Sequence, residues 1–255
     1  MPHAVILGIT ADIGQALATR LLRDGWTVTG LGRNLSRLPA SGTTLVEVDI
    51  EDPTETYQAC EAVGKWDLCV SSVGTMTPIG RFFDLDFEVW QRSVDINFTA
   101  QLRVLHALWP KRTARPNVML LAGGGTNNPM TNYSAYCVSK IALIKMVELL
   151  DDETSGANIF INGPGFTHTR IHEETLSAGD AAGAALAKTE AFLASDGGTS
   201  MDDIYNHMRW CMNHPQAASG RNFSTVHDGW RDGDSLADRL EGDRDAFRLR
   251  RAALR

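Results

Sequence analysis

The stretch AVILGITADIG, residues 4–14, decides the fold. Its first part, Ala4 to Gly8, is a continuous apolar run that is typical of a strand buried on both faces of a sheet. Apolar residues between Ile13 and Arg23 then recur at helical spacing. Gly8 and Gly14 lie at the turn between strand and helix, where backbone N–H groups can face a pyrophosphate. The stretch therefore predicts a dinucleotide site at the first βα turn.

The rest of the chain alternates strand-like and helix-like segments. This pattern predicts an α/β fold, a Rossmann-like doubly wound parallel sheet of about seven strands with helices on both faces. We expect one dinucleotide-binding domain over residues 1–255. Strands are predicted at 4–8, 26–31, 45–48, 68–72, 117–121, 158–161 and 223–226, and helices at 13–23, 53–63, 86–108 and 134–150.

Two segments do not fit the alternation. Residues 166–215 are too long for a plain connection, which predicts a substrate lid inserted in the domain. Residues 231–255 are dense in charge and favour a solvated helix or a frayed terminus.

Composition narrows the function classes. Of the 255 residues, 43% are hydrophobic and 22% are charged, as in an ordinary globular protein. The formal net charge of -7 argues against a nucleic-acid partner. No stretch is long and apolar enough for a membrane span, and the first residues lack a signal-peptide pattern. We expect a cytoplasmic protein that acts on a small molecule.

The four cysteines are Cys60, Cys69, Cys137 and Cys211. They form no Cys-x-x-Cys pair, and no histidine cluster lies beside them, so neither a metal site nor a disulfide framework is indicated. Buried free thiols in a reducing compartment are expected instead.

The second strand ends at Arg33, where an acidic residue would bind the ribose hydroxyls of NAD. A guanidinium suits the 2′-phosphate of NADP, because its fork matches phosphate oxygens. NADP(H) is therefore favoured over NAD(H), with Thr10 as an additional hydroxyl. Asp12 would repel a diphosphate, so we expect its side chain to cap its own helix. The backbone up to Ile13 would then bind the phosphates.

Tyr136 and Lys140 lie four residues apart on a predicted helix, so that both heads can reach one pocket. Reduction of a ketone needs a hydride and a proton. A phenol has a pKa near 10, which a neighbouring ammonium lowers. Tyr136 is the candidate proton donor, and Lys140 is expected to tune it and to hold the nicotinamide ribose.

These features resemble the short-chain dehydrogenase/reductase family over residues 4 to about 170. The family's usual fingerprint is Thr-Gly-x-x-x-Gly-x-Gly; this chain keeps Gly8 and Gly14 but has Leu7 for the Thr and Asp12 for the middle Gly.

The resemblance implies roles for further residues. Asp49 would contact adenine, and Ser72 and Gly74 stand in the place of the family's Asn-Asn-Ala-Gly. Asn97 falls where the family holds a water molecule. Of the residues after the sixth strand, the resemblance places three over the cofactor: Pro164 and Gly165 would close over the nicotinamide, and Thr169 would touch its carboxamide or a phosphate.

One departure concerns the family's serine, thirteen residues before the tyrosine, which polarises the substrate carbonyl. This chain has Gly123 there. Thr126 is our first choice for a replacement, since it follows the same turn. The other candidates are Asn127, Asn132, Tyr133 or a backbone N–H of the glycine run. The remaining alternative is a chain that binds NADP and catalyses poorly.

Polar residues dominate the start of the predicted lid: Thr167, His168, Arg170, His172, Glu173 and Glu174. Their density suits a hydroxyl-rich or charged substrate such as a sugar derivative. Arg170 could meet a phosphate or carboxylate of it, and Arg221 with Asn222 could face the same pocket.

The sequence thus predicts an NADP(H)-dependent oxidoreductase of carbonyls or secondary alcohols. The alternatives are a catalytically weak NADP sensor or partner subunit, and an epimerase or dehydratase that retains its cofactor. Apolar residues on several faces of two helices indicate a homodimer or homotetramer. These residues are Trp90, Phe98, Ile144, Met146 and Val147.

Overall fold

A computed structural model describes residues 1–38 and 42–251 of the chain. The strands in these residues form one parallel sheet in the order β3-β2-β1-β4-β5-β6-β7. They are β1 (His3–Leu7), β2 (Thr27–Gly32), β3 (Thr44–Glu47), β4 (Trp66–Ser71), β5 (Arg112–Leu121), β6 (Asn158–Gly163) and β7 (Asn222–Ser224). The predicted α/β class and the seven-stranded parallel sheet are confirmed.

Helices surround the sheet. They are α1 (Asp12–Arg23), α2 (Pro53–Glu61), α3 (Phe87–Val94), α4 (Ala100–Leu108), α5 (Ser134–Glu153), α6 (His172–Ala178), α7 (Ala184–Leu193), α8 (Met201–Asn213), α9 (Pro215–Ala218) and α10 (Asp234–Gly242). Within residues 1–38 and 42–251, none of these helices has the length and hydropathy that a bilayer crossing requires.

Alternating side chains of the strands build a core on each face of the sheet. Along β1, Ala4 and Ile6 point to one core, whereas Val5 and Leu7 point to the other. Helices α1, α8 and α10 cover the first core, and α2, α4 and α5 cover the second. The four cysteines are free and buried, as the sequence predicts.

The predicted helix 86–108 is interrupted by one wide turn. α3 and α4 are joined through a π-helical turn, Asp95–Thr99, which adds a residue to the helix and contains Asn97. Such bulges reorient a side chain without ending the helix. The apolar periodicity of residues 86–108 predicts one continuous helix, because the π-helical interruption is too short to change that periodicity.

β5 begins at Arg112, five residues earlier than predicted. Pro116 lies in this additional part of the strand, although proline cannot donate to a ladder. A register shift between β4 and β5, next to Trp66 and Leu68, accommodates it.

The predicted lid at 166–215 contains a core helix. In α8, Ile204, Met208 and Cys211 are fully buried against the sheet, so α8 belongs to the layer that covers the first core. Residues 164–200 do not belong to this layer. We call them the β6–α8 segment, and they contain α6 and α7.

The C-terminal residues pack on the sheet layers instead of forming a solvated helix or a frayed end. Leu236 and Leu240 of α10 are buried in the first core, and Phe247 packs against it. The backbone N–H of Asn222 donates to the carbonyl of Phe247 at 2.9 Å. The prediction for residues 252–255 lies outside the described residues.

Arg221 does not face a substrate pocket. It is 4% exposed and donates to the carbonyl oxygens of Ala217 (2.8 Å), Leu240 (2.6 Å), Asp243 (2.9 Å) and Ala246 (3.1 Å). A planar guanidinium with five donors can satisfy several carbonyls at once. Arg221 therefore ties the start of β7 to the C-terminal segment.

We expect Arg221→Met to lower the free energy of unfolding by about 2–4 kcal/mol, because several buried carbonyls lose their donor. Urea denaturation measures the change. Arg244→Met, at an exposed position of the same segment, is the control and should change stability by less than about 0.5 kcal/mol. Equal stabilities of the two variants would contradict this role.

Candidate active site

The strand order reverses between β1 and β4, where doubly wound folds bind their ligands. There Gly8 has a φ of +80°, and Ser72 donates to the carbonyls of Leu7 (3.0 Å) and Gly8 (2.9 Å). A Cβ at Gly14 would overlap the carbonyl oxygen of Gly8 and lie 2.6 Å from Ser72 Oγ. Only glycine at position 14 lets α1 start this close to the sheet.

The predicted cap by Asp12 is wrong. Ala11 is the N-cap of α1, and no side chain caps this helix. The Asp12 carboxylate instead accepts from Arg170, from the backbone N–H at 2.7 Å and from Nε at 2.9 Å. Arg170 also donates to the carbonyl of Thr10, so it binds the glycine turn and not a substrate anion. The first-turn N–H groups, that of Ile13 among them, are left without a side-chain acceptor.

Arg33 lies between two carboxylates at the end of β2. Its Nη1 is 3.5 Å from Asp49 Oδ2 and 3.4 Å from Glu51 Oε1. Arg92 of α3 forms a second ion pair with Glu51. Glu51 and Arg92 were not predicted from the sequence as site residues. The sequence feature that could have revealed Glu51 is its acidic side chain two positions after Asp49.

An open cavity of about 600 Å³ adjoins this ion-pair cluster. Its lining consists of Arg33, Asn34, Glu47, Val48, Asp49, Glu55, Gln58 and Ala59. The end of β2 and the residues around β3 thus form a polar hollow beside the glycine turn.

Gly74 brings the catalytic candidates together. A Cβ at this position would lie 3.6 Å from Lys140 Nζ, 3.7 Å from Asn97 Oδ1 and 3.8 Å from Ile171 Cδ1. Asn97 is fully buried and exchanges two hydrogen bonds with the backbone of Thr75, at 2.8 and 2.9 Å. The π-helical turn therefore fixes the loop that follows β4.

Tyr136 and Lys140 point to the same place, as their spacing predicts. Lys140 Nζ lies 5.7 Å from the centre of the Tyr136 ring. It donates to the carbonyl oxygens of Leu121 (3.0 Å) and Val73 (3.4 Å). Both side chains are buried.

The Tyr136 hydroxyl lies against Gly123, the position at which the sequence resemblance expects a serine. A Cβ at Gly123 would overlap this hydroxyl. Glycine at this position is therefore what allows the phenol to lie against the end of β5.

The other candidates for the serine's role lie on the loop from β5 to α5. Asn132 donates to the carbonyl of Ala181 at 2.8 Å, and the Tyr133 hydroxyl donates to Thr175 Oγ1 at 2.9 Å. Both are thus bound to the β6–α8 segment. Thr126 is half-buried on the same loop, and its role stays a prediction.

Burial governs both titrations. It raises the pKa of Tyr136, and the charges of Cys137 and Glu174 add to this shift. It lowers the pKa of Lys140 to about 8, because the buried ammonium loses its hydration. The shift of the phenol is opposite to the lowering that the sequence analysis expected from Lys140.

Pro164, Gly165 and Thr169 lie just after β6 at the same edge of the sheet. Gly165 has a φ of +77°, and a Cβ there would lie 2.5 Å from Val226 Cγ2. Thr169 Oγ1 donates to the carbonyl of Thr167 at 3.2 Å.

Several polar residues of the β6–α8 segment are bound within the protein, whereas the buried hydroxyl of Thr167 has no hydrogen-bond partner. His168 contacts the carbonyl of Gly197 at 3.2 Å, and His172 contacts that of Thr167 at 3.0 Å. Glu174 Oε2 accepts four hydrogen bonds: from Thr75 Oγ1 (2.9 Å), Met76 N (2.6 Å), Thr77 N (2.8 Å) and Thr77 Oγ1 (2.9 Å). Glu174 therefore fastens α6 to the loop after β4, a role that the sequence did not reveal.

A comparison with protein families agrees with this geometry. The family described as short chain dehydrogenase matches residues 2–179. The chain belongs to the short-chain dehydrogenase family. It is an NAD(P)-dependent oxidoreductase that acts on alcohol or carbonyl groups, as family members do.

Relatives and solved structures support the assignment. Serine 3-dehydrogenase of Rhizobium radiobacter is 26% identical over 225 residues, 83% of this chain and 88% of the relative. Benzil reductase ((S)-benzoin forming) of Bacillus subtilis is 26% identical over 183 residues, which cover 66% of this chain and 75% of the relative. A short-chain dehydrogenase/reductase structure from Saccharomyces cerevisiae shares the fold, with a TM-score of 0.80, 18% identity, and coverage of 91% of this chain and 99% of that one.

The residues fit the dinucleotide that the short-chain dehydrogenase family uses. The N-terminus of α1 has no side-chain cap, so its N–H groups can donate to the oxygens of a diphosphate. The polar hollow around Arg33 and Asp49 suits an adenosine end. Lys140, Asn97 and Gly74 converge at the opposite end of the same edge.

The lowered pKa of Lys140 predicts a pH-dependent stability. Between about 8 and 10.5 the unfolded chain binds this proton and the folded chain does not, so stability rises with pH in that window. Relative to Lys140→Met, the wild-type free energy of unfolding should rise by about 2 kcal/mol between pH 8 and pH 10.

Urea denaturation at the two pH values measures this difference. Lys145→Met removes a more exposed ammonium from the same helix and is the control. Parallel pH profiles of wild type and Lys140→Met would show that Lys140 titrates normally.

Proposed function

We propose that this short-chain dehydrogenase reduces a carbonyl group, or oxidises the corresponding secondary alcohol, with NADP(H). One observation carries the proposal: Tyr136 and Lys140 converge beside Gly74 and Asn97 at the carboxyl edge of the sheet. A proton donor and an ammonium thus lie together at the place where this fold binds a dinucleotide.

In the proposed reaction, the Tyr136 hydroxyl gives its proton to the carbonyl oxygen. Lys140 stabilises the phenolate that is left. A reduced nicotinamide, when bound, would supply the hydride. Asn97 keeps the loop after β4 in place, and the β6–α8 segment, our proposed lid, excludes water through Glu174 and Arg170.

The relatives support this reaction class. A serine 3-dehydrogenase and a benzil reductase both act on an alcohol or carbonyl carbon, according to their names. Of the polar residues that favoured a sugar-like substrate, His168, His172 and Glu174 are bound within the protein, so we do not extend the proposal to a sugar.

The preference for NADP(H) rests on Arg33. Its guanidinium is about half exposed at the mouth of the polar hollow and is held by Asp49 and Glu51. A 2′-phosphate would meet the fork of Arg33 and would compete with these carboxylates. We therefore expect NADP(H) to be preferred by a modest factor.

Gly123 favours one alternative, a protein that binds NADP and turns over slowly. The Tyr136 hydroxyl lies where other family members carry a serine side chain. A site without that second donor stabilises a carbonyl oxygen less well.

The assembly and the compartment are also proposals. Ile144 and Val147 are buried in the second core, so their own chain accounts for them. The apolar residues that remain exposed on α3 and α5 support a homo-oligomer: Phe87, Val89, Val138 and Leu149. Four free thiols support a reducing compartment such as the cytoplasm.

Tyr136→Phe tests the reductase. We expect kcat/KM to fall by about 10²–10⁴-fold, because the proton donor is lost while the ring remains. The Kd for NADPH, measured by titration of its fluorescence, should stay within about threefold of wild type. Unchanged turnover would contradict the proposed proton donor, and tight NADPH binding without turnover in the wild type would favour the sensor.

Arg33→Ala tests the cofactor preference. Loss of charge-assisted hydrogen bonds to a 2′-phosphate should raise the Kd for NADPH about ten- to hundredfold. The Kd for NADH should change little. Arg81→Ala, an exposed arginine outside the polar hollow, controls for the change in net charge. Equal losses for both cofactors would rule out the 2′-phosphate contact.

A further inference from the structure

Tyr136 belongs to a cluster of apolar side chains. The buried members of this cluster, which we call the tyrosine cluster, are Met76, Tyr133, Tyr136, Cys137 and Ala182. Ile79, Met130, Ile171, Ala178, Ala185 and Leu186 pack against them. These residues come from the loops after β4 and β5 and from the β6–α8 segment. Three separate loops thus contribute apolar walls around one proton donor.

The polar groups that reach the tyrosine cluster are already paired. Thr175 accepts a hydrogen bond from Tyr133 and contacts the sulfur of Met76. One carboxylate oxygen of Glu174, Oε2, accepts from four donors of the loop after β4. A substrate hydroxyl would have to break such a bond to gain one, which yields little net free energy.

The charges of the site disfavour an anionic substrate. Glu174 bears its charge close enough to Tyr136 to raise the pKa of the phenol. Arg170 is held by Asp12, and Lys140 is directed to the carbonyls of Leu121 and Val73. A carboxylate beside Tyr136 would be desolvated next to a like charge, without a counter-ion from either cation.

We propose that the substrate is an uncharged, largely apolar ketone or aldehyde, bound among Met76, Met130, Leu186 and Tyr136. This inference rests on the proposed reductase function. Methionine side chains adapt to irregular shapes, so aryl and branched alkyl groups of different outlines would be accepted.

The reaction balances as a two-electron reduction. The carbonyl carbon gains a hydride from the reduced nicotinamide, and the oxygen gains the proton of Tyr136. The alcohol and the oxidised cofactor are the products, and the tyrosine recovers its proton from water.

Methyl benzoylformate and benzoylformate form a matched pair of probes, since both carry a keto group beside a phenyl ring and only the second is charged. We expect kcat/KM for the ester to exceed that for the acid by at least about 100-fold, measured from the absorbance of NADPH. DL-glyceraldehyde, which is uncharged and polar, should also be a poor substrate. Preference for the acid or for glyceraldehyde would overturn the assignment of substrate class.

A charge inserted in the cluster separates this preference from the intrinsic reactivity of the two probes. Met130→Arg should shift the ester-to-acid ratio of kcat/KM at least about tenfold toward the acid. Leu186→Arg is the second variant if the first does not fold. Leu176→Arg, at an exposed position of α6, adds the same charge outside the cluster and should leave the ratio unchanged.

Two further outcomes are decisive. No NADPH oxidation with any of the three carbonyls would count against the reductase itself, and the substrate class would fall with it. The product alcohols give a readout without turnover when the cofactor is already reduced: methyl mandelate should raise Tm in the presence of NADPH, and mandelate should not. A larger shift with mandelate would contradict an apolar site.

Discussion

The close approach of Gly8, Gly14 and Ser72 is the constraint on which the rest of the structure depends. A single Cβ at position 14 would overlap the Gly8 carbonyl and push α1 away from the sheet. Because α1 starts this close to β1 and β4, its open N–H groups lie at the point where the strand order reverses. The loops after β4, β5 and β6 then meet at the same edge and bring Lys140 and Tyr136 to it.

Two long-range contacts close that edge. Arg170 binds Asp12 at the glycine turn, and Glu174 binds the loop after β4. Together they hold the β6–α8 segment over the buried phenol. The low dielectric that results makes a phenolate costly, and it also makes any compensating charge more effective. In the proposed reaction, the positive charge of an oxidised cofactor would lower this cost.

The two ends of the site use opposite chemistry. Around Arg33, the ion pairs with Asp49 and Glu51 form a polar hollow, in which the charge of a ligand affects how strongly it binds. Around Tyr136 the neighbouring side chains are mostly apolar, and the Tyr133 hydroxyl and Glu174 Oε2 form hydrogen bonds within the protein. Gly123 lies on the apolar side, where the absence of a side chain lets the phenol take the place that a serine holds elsewhere in the family.

The sequence by itself determined the sheet, the glycine turn and the pairing of Tyr136 with Lys140. Each of these is written in local patterns: strand and helix periodicity, two glycines six residues apart, and a four-residue helical spacing. Only the tertiary structure decided the partner of Asp12, the four donors of Glu174 and the burial of Arg221. Those contacts join residues that are far apart in the chain. The packing of the loops decides which carboxylate or carbonyl a side chain contacts, and local sequence patterns do not contain this information.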